Sequence, residues 1–315
     1  MNRRHFLAYS TAALAAGSAL AATSGAKTRI GLNLFSIPGM LEKSFRQAIA
    51  FIAGLGYSEV EPYGPYEFNS PEEIARWKSL GPQLGFTGSG FFGMTAREAR
   101  AILDEHHISA PSMHTNLEAL QTRMGPLAAA AHVLGAKYVT LPAIPADHRK
   151  SLDDYKRMAD SFNSIGEQAQ RNGLRFAYHN HGYGQHPLEG EIPLHMMLKK
   201  TDPARVFFEM DIYWTTAGGG DPIQLLEDYP TRYKMLHLKD MKELQHFSGD
   251  GGDPSQWMAL FPYMTAVGDG VLDIKGIVAQ AHRVGVEHYF VEQDTVANPE
   301  VALQRAADYL LELPG

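Results

Sequence analysis

Eight short apolar runs, each followed by an amphipathic stretch, give this 315-residue chain a period that few architectures accommodate. The strand-like segments are Arg29–Phe35, Ser58–Pro62, Ile108–His114, Lys137–Leu141, Leu174–His179, Arg205–Asp211, Tyr233–Leu238 and Glu287–Glu292. Helical patterns lie near Glu42–Leu55, Thr95–His106, Asn116–Leu134, Ser151–Asn172, Glu191–Lys200, Asp221–Asp228, Asp273–Val284 and Pro299–Leu311. Thr95 with Glu98 reads as a capping box, and Gly56, Gly135, Gly173 and Gly285 punctuate helix-to-strand turns. Strict alternation implies parallel strands, and eight of them imply closure into a single-domain (β/α)8 TIM barrel over residues 28–315. An open doubly wound sheet is the alternative.

Two stretches exceed a minimal barrel. Tyr63–Met94 follows the second strand and holds a short helix capped by Ser70 with Glu73, and Met241–Gly270 follows the seventh. Loops after strands rise over the C-terminal mouth, where barrel enzymes place their active sites. Each extended loop reads either as a lid or as a surface that contacts a second copy in a homo-oligomer.

A formal charge of −7 without clustered Lys or Arg argues against nucleic acid as a partner and leaves small molecules. The absence of Cys excludes disulfides and thiolate ligands, so any metal is held by His, Asp and Glu. Residues 1–22 read as a signal peptide: Arg3-Arg4, the apolar run Leu7–Leu20, and a small-x-small cleavage site at Ala19-Leu20-Ala21. Arg3-Arg4-His5-Phe6-Leu7 looks like a twin-arginine signal, which implies the twin-arginine translocase as an export partner and a periplasmic location. An ordinary secretory signal is the alternative. The run falls short of the about 20 residues that span a bilayer, so no membrane span is expected in the mature chain.

The polar residues collect at strand ends: His179-Asn180-His181 on the fifth, Glu209-Met210-Asp211 on the sixth, His237-Leu238-Lys239-Asp240 on the seventh, Glu292-Gln293-Asp294 on the eighth. Four neighbouring strands finish in metal-capable side chains. So many carboxylates in a narrow barrel repel unless a divalent ion or a buried cation holds them.

With these motifs, Tyr178-His179-Asn180-His181, His237-Leu238-Lys239-Asp240-Met241, Gly268-Asp269-Gly270 with Asp273, and Val291-Glu292-Gln293-Asp294, the chain resembles the xylose-isomerase-like TIM-barrel family over nearly all of its mature length. That family includes sugar phosphate isomerases/epimerases, ketose 3-epimerases and inosose dehydratases, and a subgroup carries a twin-arginine leader. The resemblance implies one divalent ion, manganese first, with zinc, cobalt or magnesium as alternatives, held by His179, Asp211, His237 and Glu292. It also departs from the family. His179 stands where ketose 3-epimerases have Glu, and Trp214 where they have His three residues after the strand-six Asp, so a simple two-carboxylate epimerisation does not carry over.

Isomerisation, epimerisation and β-elimination of a sugar all begin by removing a proton next to a carbonyl, which calls for a metal and a positioned base. The candidates are Glu292 as base, with His181 and Lys239 as further acid/base groups and Glu61 and His114 as substrate contacts. His181 also reads as a support for His179, Lys239 as a partner of Asp240 or Glu209, and Glu61 as a buttress of His114. Phe35, Tyr63, Tyr66, Phe91, Phe92, Tyr183 and Trp214 suit the apolar faces of a sugar, or pack. The leading expectation is a metal-dependent isomerase or epimerase of a small, nonphosphorylated (keto-)sugar. A lyase or dehydratase on 3-keto-glycosides or inosose-like substrates comes next, then an exported sugar-binding protein. The endonuclease branch of the fold is opposed by the acidic charge and the leader.

Overall fold

The computed structural model describes residues 29–294 and 298–314. The signal-peptide reading of residues 1–22 lies outside them. Eight parallel strands form one sheet: β1 (Gly31–Asn33), β2 (Glu59–Glu61), β3 (Ser112–His114), β4 (Tyr138–Leu141), β5 (Arg175–His179), β6 (Val206–Asp211), β7 (Tyr233–Leu238) and β8 (His288–Val291). Each strand pairs with its sequence neighbour, and β8 pairs with β1. The β2–β3 seam is joined by two isolated parallel bridges, Glu59 with Ser109 and Tyr63 with His114. This is the expected (β/α)8 barrel, not an open sheet.

Alternation along the strands sorts the side chains. Val206, Phe208 and Met210 of β6 are buried outward under the helices with Phe162, Phe176 and Leu226, whereas Glu209 and Asp211 point inward. The barrel interior is plugged lower down by Tyr138, Ala177, Met235 and Phe290. The inward-facing polar side chains above that plug, Glu209 and Asp211 among them, lie toward the C-terminal mouth.

The helices sit where periodicity places them, with differences that side-chain caps explain. Ser44 caps Phe45–Gly54 and divides the expected Glu42–Leu55 helix from Pro38–Lys43. Asn116–Leu134 is likewise two helices, Leu117–Thr122 and Met124–Leu134. Thr95 and Glu98 form the expected reciprocal box. Ser70 accepts from Glu73 N, but the Glu73 carboxylate turns to Arg76, so that box is half made.

Both long loops follow strands, as expected. The first carries helix Pro71–Leu84 and is pinned to the rim by rings: Tyr63 meets Phe35 at 5.2 Å and Tyr66 stacks on Phe68 at 5.0 Å. The second contains an antiparallel ribbon, Asp240–Met241 with Met264–Thr265, and helix Pro254–Leu260. It encloses a satellite core of Tyr213, Trp214, Met241, Leu260 and Met264, so it is packed structure over the mouth. Among the described residues no helix is long and apolar enough to cross a membrane.

Candidate metal and catalytic site

Because the inward positions of a strand recur every two residues, β5 to β8 each present two polar groups to the barrel axis: His179 and His181, Glu209 and Asp211, His237 and Lys239, Glu292 and Asp294. One donor atom from each of His179, Asp211, His237 and Glu292 lies within 4.8 Å of the others, so the four expected ligands do converge. His237 Nδ1 is 2.6 Å from Glu292 Oε2, and His179 Nε2 is 3.8 Å from Asp211 Oδ2. Asp211 is held by two local bonds: its Oδ1 accepts from Trp214 N at 2.9 Å and its own N–H donates to Asn180 Oδ1.

Lys239 reaches the same place. Its Nζ lies 3.0 Å from Asp211 Oδ2, 2.9 Å from Glu292 Oε2 and 3.0 Å from Asp294 Oδ2, over the Trp214 ring. These are not the partners expected for it. Asp240 instead accepts the N–H groups of Met241, Gly268, Gly270 and Leu272, tying the Gly268-Asp269-Gly270 turn to the end of β7. That motif is a loop clamp. A Cβ on Gly270 would lie 2.2 Å from Asp240 Oδ1 and 2.4 Å from Met241 O. Gly270→Ala is therefore expected to destabilise the protein by about 1–3 kcal/mol, and an unchanged urea midpoint would count against the clamp.

Beneath the four lies a second group. His114 Nε2 is 2.7 Å from Glu209 Oε2 and 3.1 Å from Glu61 Oε2, while His237 Nε2 is 2.7 Å from Glu61 Oε2. Glu61 is fully buried and takes a further bond from Asn33 Nδ2. Glu61 braces both His114 and His237, and His114 bridges Glu61 and Glu209.

Burial alone would neutralise the imidazoles, and the neighbours decide which of them resist. Burial opposes charge on His114, but Glu61 and Glu209 outweigh it and raise the ring to about 9. For His237 the same contest, against Glu209 and Glu292, lifts it well above its ordinary value. Burial wins at His179, which falls well below the usual range, and at His181, pushed down to about 3 with Lys239 adding to the effect. Burial raises Asp294 to about 6 despite Lys239. Among the described residues, Glu61, Glu209, Asp211, Glu292 and Asp294 thus face three cationic groups, His114, His237 and Lys239. Excess negative charge closed off from water is what a divalent cation relieves. The donor set of two imidazoles and two carboxylates suits Mn2+ or Zn2+, and the site fits the ion.

The other expected residues divide between the edge of this cluster and the packing around it. His181 stands beside His179, ring centroids 4.9 Å apart, against Trp257, and its Nδ1 has no partner. Trp214 is buried in the satellite core with an unpartnered Nε1. Tyr63 gives its hydroxyl to Gly88 O and its ring to Phe35, Trp77, Phe86 and Phe92, so it is a packing residue, and Phe35 joins it there. Asp221 caps the helix Pro222–Asp228 by accepting the N–H groups of Ile223 and Gln224, and Gly220 makes room for Gln185. Glu209 and Asp294 were not singled out as site residues from the sequence. Their signal was the two-residue inward spacing.

A parallel eight-stranded barrel with histidines and carboxylates gathered at the mouth of its last four strands defines a class of barrel enzyme. Residues 49–313 match the family described as xylose isomerase-like TIM barrel, and the chain belongs to it. It is similar to an inosose dehydratase of Lacticaseibacillus casei, 27% identical over 165 residues, 50% of this chain and 54% of that protein. The chain thus spans about half the length of that relative. Its fold matches a sugar phosphate isomerase/epimerase from Parabacteroides distasonis (TM-score 0.71, 23% identity, 92% of this chain and 99% of that one). It also matches the IOLI protein with a binding zinc atom (TM-score 0.64, 14% identity, 91% and 98%).

Proposed function

We propose that the chain is a divalent-metal-dependent enzyme that isomerises or epimerises a small, nonphosphorylated sugar or keto-sugar through an enediolate. The observation that carries this is the convergence of His179, Asp211, His237 and Glu292 within 4.8 Å at the mouth, with Lys239 against two of them. An ion bound there supplies Lewis acidity, which makes the proton next to a carbonyl easier to remove. Glu292 is the least buried of the four and takes the proton. His181, neutral and with Nδ1 unpartnered, and Lys239, an ammonium, serve the second transfer.

A second reading is a dehydratase or lyase on inosose-like or 3-keto-glycoside substrates. It is favoured by the likeness to inosose dehydratase and by His179 and His181 in place of a second base carboxylate. Proton NMR in deuterium oxide over free ketoses, inososes and 3-keto-glycosides tests both. Exchange with epimer or isomer formation supports the first, and an unsaturated product or freed aglycone supports the second. No exchange in any substrate by the Mn2+-loaded protein leaves the sugar-binding alternative.

Ion uptake must remove the His237 proton, so Mn2+ affinity is expected to rise between pH 6 and 8. A pH-independent affinity by titration calorimetry would mean that His237 is not a ligand.

Residues 1–22 are proposed to direct export to the periplasm through the twin-arginine translocase, on the strength of Arg3-Arg4 and the apolar run after it. Changing both arginines to Lys should leave the precursor in the cytoplasm. Mature protein still recovered in the periplasm would point to the ordinary secretory route.

A further inference from the structure

In each of the two ligand histidines one ring nitrogen faces the converging donors and the other faces a carboxylate one step deeper in the barrel. His237 Nδ1 is turned to Glu292 at 2.6 Å, and its Nε2 to Glu61 at 2.7 Å. His179 Nε2 is turned to Asp211 at 3.8 Å, and its Nδ1 to Glu209 at 3.3 Å. Between the two deeper carboxylates sits His114, 3.1 Å from one and 2.7 Å from the other, its ring stacked on His237 at 11°. The strand period produces this arrangement. Glu209 precedes Asp211 by two residues, and Glu61 enters from across the barrel on β2.

We propose that Glu61 and Glu209 are positioning residues, each accepting the proton on the far ring nitrogen of one metal-ligand histidine, with His114 joining them into one unit. The proposal rests on the metal reading above. A carboxylate on the far nitrogen fixes which nitrogen is free to coordinate, sets the plane of the ring and raises its basicity. It also gives a role to two fully buried glutamates inside the barrel. Asn33 donates to Glu61 at 2.9 Å and steadies it, while Glu209 also lies 3.4 Å from His237 Nε2. The competing possibility is that the ion sits deeper, since donor atoms of His114, His179, Glu209 and His237 also lie within 4.8 Å of one another.

The test uses the full chain loaded with Co2+, reading affinity by chelator competition and the solvent-exchangeable, paramagnetically shifted ring N–H signals by proton NMR. The wild type should bind one Co2+ and show two such signals, one per ligand histidine. Glu61→Gln and Glu209→Gln should each weaken Co2+ binding roughly 10–100-fold and move a different one of the two signals. If Glu209→Gln does not fold, Glu61→Asp, which withdraws the carboxylate from His237 but keeps its charge, should give the same loss and move the same signal as Glu61→Gln. Wild-type affinity with both signals in place in the Glu61 variants overturns the proposal. So does loss of binding in Glu209→Gln as complete as in Asp211→Asn, because Glu209 would then be a ligand. A wild type that binds no Co2+ overturns the metal reading itself, a result distinguishable from either.

Discussion

Replacing Glu292 by Gln is expected to leave the barrel folded and one divalent ion bound while lowering turnover by roughly 100-fold or more, the usual scale for losing a general base. Glu292 is 7% exposed, whereas Asp211 and His237 are 0% and His179 is 1%, which is why it is the proposed base among the four proposed ligands. Burial works against its charge, but Lys239 and His237 outweigh it and hold the carboxyl well below the usual range. A carboxylate so stabilised is a weak base toward an ordinary sugar C–H, and a divalent ion at the site would offset this by polarising the substrate carbonyl, so metal-free protein should exchange no substrate protons. The amide in Glu292→Gln keeps the shape and one acceptor oxygen but cannot take the proton. Deuterium exchange into substrate at near wild-type rate in this variant would move the base to His181 or Lys239.

The barrel was legible because each helix and strand declares itself locally: β7 and β8 were placed within a residue or so of their observed ends, and Thr95 and Glu98 make the box their spacing announces. Less legible were the interruptions at Ser44 and Arg123, where a single residue stops one helix and starts the next without disturbing the apolar period. The four converging side chains could be named because they end consecutive strands. Glu209 could not be ranked the same way, since an inward charge inside a barrel looks unfavourable until its partners are known. The chief of those partners, His114, lies 95 residues away in sequence. Besides an acid/base role, the sequence offers Asp240 or Glu209 as a partner for Lys239, but alternation turns the adjacent residues 239 and 240 to opposite faces. Asp240 goes to the 268–272 turn, and Lys239 goes inward to Asp211, Glu292 and Asp294.

The same inward turn makes Lys239 the cation on which the metal-free site depends. Its ammonium is 2% exposed and within 3.0 Å of three carboxylates. Burial opposes its charge, yet Asp211, Asp294 and Glu292 outweigh it and raise the group well above its ordinary value. Lys239→Met keeps the stem against Trp214 and removes the charge, leaving the carboxylates facing each other. The expected cost in the metal-free protein at pH 8 is about 3–5 kcal/mol, as for breaking a buried ion pair from one side. Two conditions should shrink it. Mn2+ neutralises Asp211 and Glu292, so the variant should gain more stability from the ion than the wild type does. Asp294 is already raised to about 6 and rises further without Lys239. A carboxyl raised on folding is favourable below its unfolded value and loses that advantage as pH climbs through the folded one, so the penalty should be small at pH 5 and full at pH 8. Urea unfolding of both proteins at the two pH values, with and without Mn2+, measures all of this. A penalty that ignores both pH and ion would mean that Lys239 contributes by packing on Trp214 and that the carboxylates do not need its charge.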